Sequence, residues 1–452
     1  MSITKTIETL FQKYIPSPFV IAIILTLLTM VLALLFTENP SETAHPITIL
    51  TFWEEGIWNN NLLVFAYQMM LILVLGHVLV LSKPMNWLIS QITVYAKDTS
   101  SAVILVSITT MLVAFFNWGL GLIFGAIIAR KIGEAAVEKG FKINYPLVGA
   151  AGYIGLMVWH GGMSGSAPLK VAEEGHLASL MNGIASPEVI AQLPSKITDG
   201  QTIFSWWNLL IFGILLIVIP FTFYLLSRNG KTTALPDFST SKKFSEHPQK
   251  QDKLDNSKLL AIGFGFILLI AFFARYYGKS LSPNMLNFLM LGLGIILHGN
   301  FKNFLKAVEE AIGGASGILI QFPLYFGIMG IMKSTGMVTM ISDGFIAIAT
   351  ETTLPIFTFF SAGLVNIFVP SGGGQWAIQG PIVIESALSL GVPLPKAIMA
   401  LAYGDQVTNM LQPFWALPLL GITKLKAKEI LPYTLILMVV GSAIYILGLL
   451  LL

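Results

Sequence analysis

Long apolar stretches alternate with short polar ones along the chain, and the length of each apolar stretch predicts its structure. Seven stretches approach the roughly 20 residues that a helix needs to cross a hydrocarbon core about 30 Å thick. They cover residues 16–36, 62–82, 206–227, 257–277, 283–298, 314–333 and 430–452. This pattern predicts an all-α polytopic membrane protein.

Four further apolar segments are too short to cross a membrane, and they occur as pairs on either side of polar tips. Residues 101–116 and 119–129 flank "NWG", and residues 354–369 and 376–390 flank "PSGGGQ". Each pair predicts a re-entrant helical hairpin, with both ends on one side of the membrane. Such hairpins are tolerated only where protein or water covers the irregular backbone. The predicted tips are residues 117–119 and 369–375, within hairpins of about 101–130 and 354–390.

Two other apolar runs are interrupted by polar residues. The run that begins at Pro146 breaks at "HGGMSGSAP", and the run that begins at Pro395 breaks at "GDQVTNMLQP". These patterns predict broken transmembrane helices over about 146–170 and 395–421, with the breaks at 160–166 and 404–412.

The positions of lysine and arginine predict the orientation. Most of the 26 basic residues fall in stretches that are cytoplasmic if the N-terminus is cytoplasmic, whereas residues 37–61 contain none and hold four glutamates. Cytoplasmic loops are enriched in lysine and arginine. We therefore expect a cytoplasmic N-terminus and an external C-terminus, and the two hairpins then open to opposite sides.

A weak internal alignment suggests a duplication. At one constant offset, Asn117 falls on Asn366, Gly125 on Gly374, Pro146 on Pro395, Gly155 on Gly404, His160 on Asn409 and Ala167 on Ala416. The matches coincide with the tips and breaks, so the sequence predicts two inverted-topology repeats. The predicted domains are an N-terminal helix and external loop (1–61), a first repeat (62–227), a cytoplasmic linker (228–258), linking helices with an interfacial segment (259–313) and a second repeat (314–452).

Composition narrows the possible chemistry. The chain is 55% hydrophobic and 11% charged, with a net charge of +3 and no cysteine. These values exclude an ordinary soluble protein, disulfides and cysteine-ligated metals. The charge is too small to suggest a nucleic-acid partner, and we expect no cofactor.

Polar, glycine-rich tips inside a membrane suit the binding of a small anion. A helix that begins in the membrane presents unpaired backbone N–H groups and a partial positive charge, so it can hold a carboxylate. Glycine allows close approach of the backbone. The alternative is a tight turn that binds nothing. The residues predicted to contact substrate are Asn117, Trp118, Gly119, His160, Gly161, Gly162, Ser164, Ser166, Ser371, Gly372, Gly373, Gly374 and Gln375.

Asp405, in the second break, is the residue whose burial in the membrane has the highest free-energy cost. An unpaired carboxylate in a membrane costs on the order of 2.5–3.5 kcal/mol, so such residues usually bind an ion or a proton. We predict that Asp405 binds the coupling cation, Na+ or H+; the alternative places it in a hydrated outer vestibule. The residues predicted to join it are Asn117, Asn366, Thr408, Asn409 and Gln412. Both Asn117 and Asn366 could also cap hairpin arms.

Three roles are open for His160 at the first break: holding a carboxylate, taking part in proton coupling, or donating to a nearby carbonyl. We expect His77 and His298 to be structural. A rival chemistry rests on "GMSG", which matches the G-x-S-G pattern around the nucleophile of some intramembrane serine proteases; Ser164 would then need one of these histidines as its base. A channel or uniporter is the other alternative. Paired tips and breaks favour transport, so we do not expect an enzyme.

The chain resembles the short-chain fatty acid transporter family of bacterial inner membranes. The resemblance lies in "YIPSPFVIAIILT", "HGGMSGSAPL", "VPSGGGQWAIQGP" and "YGDQVTNMLQPFWALPLLGI" and extends over almost the whole chain. It implies a place in the ion-transporter superfamily, an elevator-type homodimer in the bacterial cytoplasmic membrane, and import of a small monocarboxylate such as butyrate, acetoacetate or acetate. A dicarboxylate or another small organic anion remains an alternative substrate.

The chain departs from the sodium-coupled dicarboxylate relatives in that superfamily. Those proteins carry Ser-Asn-Thr at their tips and breaks, whereas this chain keeps only asparagine and hydroxyl side chains there. No arginine stands at the tips, which suits a single carboxylate held by helix N-termini and hydroxyls. A short acyl tail would then pack on Trp118, Trp376 or Trp415.

Overall fold

The computed structural model describes residues 16–84, 87, 91, 93–182, 187–229, 232–238, 253–277 and 283–452. These residues form helices and connecting turns, without a strand among them. The first ten helices are α1 (Pro18–Phe36), α2 (His45–Ile57), α3 (Asn60–Leu81), α4 (Thr99–Phe116), α5 (Trp118–Lys139), α6 (Tyr145–Tyr153), α7 (Ser166–Val171), α8 (His176–Met181), α9 (Pro187–Ala191) and α10 (Trp206–Asn229). The second ten are α11 (Lys258–Tyr276), α12 (Pro283–His298), α13 (Phe301–Ile312), α14 (Ser316–Ser334), α15 (Met337–Ile346), α16 (Leu354–Phe368), α17 (Gly372–Leu390), α18 (Leu394–Thr408), α19 (Pro413–Thr423) and α20 (Ala427–Leu451).

Seven helices in the described part of the chain are long and apolar enough to cross a membrane. Six of them match predicted spans, which confirms a multi-pass membrane protein. The seventh is α4, which we had predicted to be one arm of a hairpin. The remaining predicted span, residues 283–298, forms α12, which has only 16 residues.

The helices pack in two groups. In one group α14 packs on α1 and α2, while α12 packs on α3 and α11. In the other, α4 packs on α5, α6 and α10, and α18 packs on α16, α17 and α20. The two groups meet chiefly where α3 contacts α5 and where α14 contacts α19, with smaller contacts of α14 with α16 and of α1 with α19. All the predicted tips and breaks belong to the second group.

Two helical hairpins occur where the sequence predicted them, α4–α5 and α16–α17. The second arm of the first hairpin is longer than predicted, since α5 continues beyond residue 129 to Lys139. The charged residues of α5 do not end the helix, because Arg130 is buried and donates to Glu134 Oε1 (2.8 Å). The helix ends at Gly140, whose φ of 72° favours glycine. The re-entrant character of the two hairpins stays a prediction.

The α-helix is interrupted at both predicted breaks, although the first interruption begins earlier than residue 160 and the second begins later than residue 404. After α6, a 3₁₀ turn (Ile154–Met157) leads through irregular backbone to α7. In the second half, α18 continues to Thr408, so Gly404 and Asp405 are helical. Gly404 is needed because α18 touches α16 there, and a Cβ would overlap the carbonyl oxygen of Phe359. The break itself is a 3₁₀ turn (Asn409–Leu411) followed by Gln412.

Residues 230–231 and 239–252 of the predicted linker lie outside the described residues. In the described stretch 232–238, the Asp237 carbonyl accepts from Lys424 Nζ (2.7 Å). The inverted relation between the halves also stays a prediction.

Candidate substrate-binding site

The two hairpin tips and the first break surround one cavity of about 810 Å³. This is within the usual range for small-molecule sites. The inner wall is formed by Asn117, Trp118, Gly119, Trp159, Ser164, Ser166, Ser371, Gly372, Gly373, Trp376 and Trp415, with Phe65, Ile72 and Leu286 from the other helix group. Four polar or charged residues, which we call the mouth residues, also line it: Lys170, Glu173, His176 and Asp199.

Asn117 builds the first tip by capping both arms. Its backbone N–H donates to the Val113 carbonyl (2.9 Å), and its side chain accepts from the N–H of Leu120 (2.9 Å). The Ser164 hydroxyl accepts from the N–H of Trp118 (2.9 Å), which fixes the tip to the first break. Among the described residues the N–H of Gly119 has no hydrogen-bond partner. It is therefore available to a ligand at the start of α5.

Ser371 begins the second tip helix in the same way. Its side chain accepts from the N–H of Gly374 (3.2 Å), and the N–H groups of Gly372 and Gly373 have no partner in the described structure. These two glycines differ in their surroundings. A Cβ on Gly372 would lie 2.8 Å from carbons of both Trp159 and His160, whereas a Cβ on Gly373 would meet nothing closer than Ser166 Oγ at 3.8 Å.

Aromatic rings form the apolar side of the cavity. The ring centroids of Trp118 lie 5.3 Å from Trp415, 6.0 Å from Trp159 and 6.5 Å from Phe65. Trp376 is buried, and its indole N–H donates to His176 Nε2 (3.0 Å), so the second tip helix is attached to the mouth.

His160 does not face the cavity but is fully buried beside α18, where its Nδ1 bonds to Asp405 Oδ2. The backbone N–H of Ala167 donates to its Nε2 (3.0 Å), so that nitrogen carries no proton. A neutral ring therefore has its proton on Nδ1 and donates it to the carboxylate. None of the three roles considered for His160 included this partner. The other oxygen, Asp405 Oδ1, is buried without a partner among the described residues.

Side chains from each half also satisfy the broken backbone of the other. Gln406 Oε1 accepts from the N–H groups of His160 (2.7 Å) and Gly161 (3.0 Å). Conversely, the Tyr153 hydroxyl lies 2.8 Å from the Asn409 carbonyl and 3.0 Å from that of Gln412. Buried backbone groups at a break need such partners.

The predicted ion-coupling residues of the second half lie together. The Asn366 amide nitrogen is within hydrogen-bond distance of the Asp405 carbonyl (2.6 Å), Thr408 Oγ1 (3.0 Å) and Asn409 Oδ1 (2.8 Å). Asn366 is therefore not a hairpin cap, because it lies within α16 and bonds to α18. Gln412 Nε2 donates to the Asn366 carbonyl (2.6 Å). The side-chain oxygens of Asn366 and Gln412 are buried without a partner in the described part of the chain.

Eight of the thirteen predicted substrate residues line the cavity and five do not. The five are His160, Gly161, Gly162, Gly374 and Gln375. Gln375 lies in the first turn of α17, and its amide donates to the Ala362 carbonyl (2.9 Å) and to Gln379 (2.7 Å). The sequence did not predict the mouth residues, because they lie in a polar segment without a distinctive pattern. It also missed Trp159, which directly precedes the predicted break.

The geometry does not support Ser164 as a nucleophile. Its hydroxyl accepts from the backbone of Trp118, and both nitrogens of His160 are bonded elsewhere. His77 Nε2 bonds to Arg130 (3.1 Å), and His298 Nε2 bonds to the Val78 carbonyl (2.8 Å). Each of the three candidate bases is thus held by another group.

Comparison with known proteins identifies the relatives. The sequence profile described as "Short chain fatty acid transporter" matches residues 1–452. The chain belongs to the short-chain fatty acid transporter family. Two relatives carry the provisional name of short-chain fatty acid transporter: one from Haemophilus influenzae is 36% identical, and one from Escherichia coli strain K12 is 35% identical. Each alignment covers 99% of this chain and 98% of the relative. Since the family consists of transporters, the prediction that the chain is not an enzyme is confirmed.

Two solved structures are more distant. The crystal structure of the Alcanivorax borkumensis YdaH transporter is 16% identical and has a TM-score of 0.42, with 96% of this chain and 97% of that chain covered. Neisseria gonorrhoeae MtrF, described as illuminating a class of antimetabolite efflux pumps, is 15% identical with a TM-score of 0.37, and 98% of this chain and 97% of that chain are covered. Both TM-scores are below 0.5.

The contact between His176 and Trp376 predicts a pH effect at the mouth. Burial, with the charge of Lys170 adding to it and that of Glu173 opposing it, lowers the pKa of His176 below its usual 6.5. A lowered pKa means that the stability from this contact is present above pH 6.5 and is lost as the pH falls below it. We expect limited proteolysis of residues 166–205 to become faster as the pH is lowered below 6.5. The variant His176→Gln keeps an acceptor that does not titrate, and an equal acceleration in it would rule out His176 as the cause.

Proposed function

We propose that this family member is a secondary active transporter that imports short-chain monocarboxylates, such as butyrate, acetoacetate or acetate, together with Na+ or H+. The observation that carries the proposal is the cavity between the two tips, which is lined both by unpaired backbone donors and by tryptophan rings. The donors suit a carboxylate, and the rings suit a short acyl chain.

The donors fit a single carboxylate. The N–H groups of Gly119, Gly372 and Gly373 belong to the first turns of α5 and α17, two long helices whose N-termini carry a partial positive charge. Ser166 adds a hydroxyl beside Gly373, and this hydroxyl has no hydrogen-bond partner among the described residues. Because these donors are neutral, they hold a monoanion without leaving a buried cation unpaired when the cavity is empty.

The apolar wall fits a short chain. Trp118, Trp159 and Trp415 lie edge to face or tilted against one another, so they present a fixed surface. A tail of two or three carbons packed on it gains about 0.8 kcal/mol per buried methylene. This predicts that affinity rises from acetate to butyrate.

Asp405 supports coupling to a cation. No cationic side chain among the described residues compensates its charge, because His160 Nε2 accepts a hydrogen bond and the ring carries at most one proton. Asp405 Oδ1 has no partner in the described structure. A cation that binds there balances the charge, and Asn366 and Gln412 supply further unpaired oxygens nearby. A proton needs only one oxygen and Na+ needs several, so both remain open as coupling ions.

The proposed movement carries the hairpins and broken helices against the remaining helices. The tips, the breaks and Asp405 all lie in one of the two packing groups, so the bound substrate and cation would move as a unit. The contacts of α3 with α5 and of α14 with α19 would then change during the cycle. A homodimer of such units, as the family resemblance implies, is part of the proposal.

Uptake by purified protein in proteoliposomes tests the function. We expect labelled acetoacetate and butyrate to accumulate above their external concentration when either a sodium gradient or a pH gradient is imposed. Carboxyls titrate near 4, so the small neutral fraction leaks, and protein-free vesicles provide the control. Equilibration without accumulation would indicate a uniporter or channel, and no protein-dependent flux under either gradient would contradict the proposal.

A further inference from the structure

The charged groups that line the cavity are confined to its mouth. The inner wall is formed by asparagine, serine, glycine and aromatic or aliphatic residues, all of them neutral. The side chains of Lys170 and Glu173 are 50% and 56% exposed, so they lie where the cavity opens to solvent. A substrate held at the tips therefore has its carboxylate in a neutral site, and only a part of it that extends toward solvent meets these charges.

Glu173 neutralises the lysine at the mouth. Lys170 Nζ lies 2.9 Å and 3.0 Å from the two carboxylate oxygens of Glu173, one helical turn away. Asp199 adds a second negative charge, and one of its oxygens, Oδ1, is buried without a partner among the described residues. Lys170 is the one lysine or arginine in the described lining, so the mouth has a net charge of −1 when His176 is neutral.

His176 keeps this balance at neutral pH. It accepts the indole N–H of Trp376, and the lowered pKa keeps its ring uncharged. The mouth therefore offers no free positive charge to a second anionic group.

We propose that Glu173 is a charge filter that makes the transporter select monocarboxylates over dicarboxylates. A monoanion places its carboxylate at the tips and its apolar tail against the aromatic wall, so it brings no second charge to the mouth. A dicarboxylate of similar length has to place its second carboxylate either against the aromatic wall, where an unpaired charge is disfavoured, or near Glu173 and Asp199, which repel it. This inference rests on the proposed function and names the residue that sets its substrate class.

The test compares butyrate with succinate, which has the same number of carbons and a second carboxylate. Wild type and the variants Glu173→Gln, Lys170→Gln and the double variant are measured for uptake in proteoliposomes and for equilibrium binding in detergent. In Glu173→Gln the Lys170 ammonium is released, so we expect the succinate-to-butyrate selectivity ratio to rise about tenfold. Lys170→Gln and the double variant lack that ammonium, so both should exclude succinate as wild type does.

The outcomes separate the filter from the function on which it rests. If wild type accumulates butyrate while Glu173→Gln leaves the ratio unchanged, or if wild type already takes succinate as well as butyrate, the filter is wrong and transport stands. A rise in the ratio that persists in the double variant also overturns it, because Lys170 would not be the group released. If wild type neither binds nor moves any monocarboxylate, the proposed function fails and the filter with it. The side chains exchanged are half exposed, so equal melting temperatures are expected across the set.

Discussion

Asp405→Asn is expected to abolish gradient-driven accumulation of butyrate while the protein remains folded. Asparagine has the shape of aspartate: its oxygen can accept from His160 Nδ1, and its amide nitrogen then takes the place of Oδ1, which has no partner in the described structure. The substitution removes the negative charge and leaves the hydrogen bond. Since the charge is what binds the coupling cation in our proposal, the coupling is lost.

Two readouts make this result specific. Exchange of labelled for unlabelled butyrate across vesicles at equal concentrations requires no net cation movement, so we expect it to survive in Asp405→Asn. Asp405→Ala provides the structural comparison, because it leaves the buried Nδ1–H of His160 unpaired and should cost about 1–3 kcal/mol of stability. Undiminished accumulation by Asp405→Asn would remove Asp405 from the coupling site.

Gly373→Val is expected to lower butyrate uptake by about 100-fold, the scale on which small misplacements of a bound ligand act. The new side chain would stand between the second tip and Ser166, where a Cβ meets nothing closer than 3.8 Å. It fits the folded protein but fills the space in which we place the carboxylate. Wild-type uptake by this variant would favour the alternative that the tip is a tight turn and binds nothing.

The neighbouring glycine supplies the matched control. Gly372→Ala puts a methyl group 2.8 Å from carbons of Trp159 and His160, so we expect it to destabilise the protein by about 1–3 kcal/mol. Gly373→Ala has no such clash, and replacing glycine within a helix should stabilise by about 0.5–1 kcal/mol while uptake falls. Opposite signs of the two stability changes, measured by thermal unfolding, would separate binding from packing.

The sequence predicted the tips and breaks because their signals are local. Glycine, serine and asparagine between apolar runs mark Asn117 and Ser371 without any knowledge of the fold. The length of α5 could not be predicted in this way, because hydropathy falls at Arg130 although the helix continues. Its continuation depends on Glu134 and on His77, which lies in a different helix.

The hydrogen-bond partners that join the two halves could not be predicted from the sequence either. The internal alignment paired His160 with Asn409 and Asn117 with Asn366, whereas in space His160 bonds to Asp405, and Asn366 bonds to α18. Equivalent positions in a repeat need not have equivalent roles once the halves face each other. The mouth residues carry no local signal, because an exposed pair of opposite charges such as Lys170 and Glu173 is common on any protein surface.

The hydrogen bonds between Gln406 and the first break can form only late in the biosynthesis of the protein. A ribosome completes His160 and Gly161 nearly 250 residues before it reaches Gln406. Until then their N–H groups lack that acceptor, and the Asp405 partner of His160 is also missing. The first half should therefore wait in a loosely formed, water-accessible state during insertion, and expressed alone it should be degraded unless the second half is supplied as a separate chain.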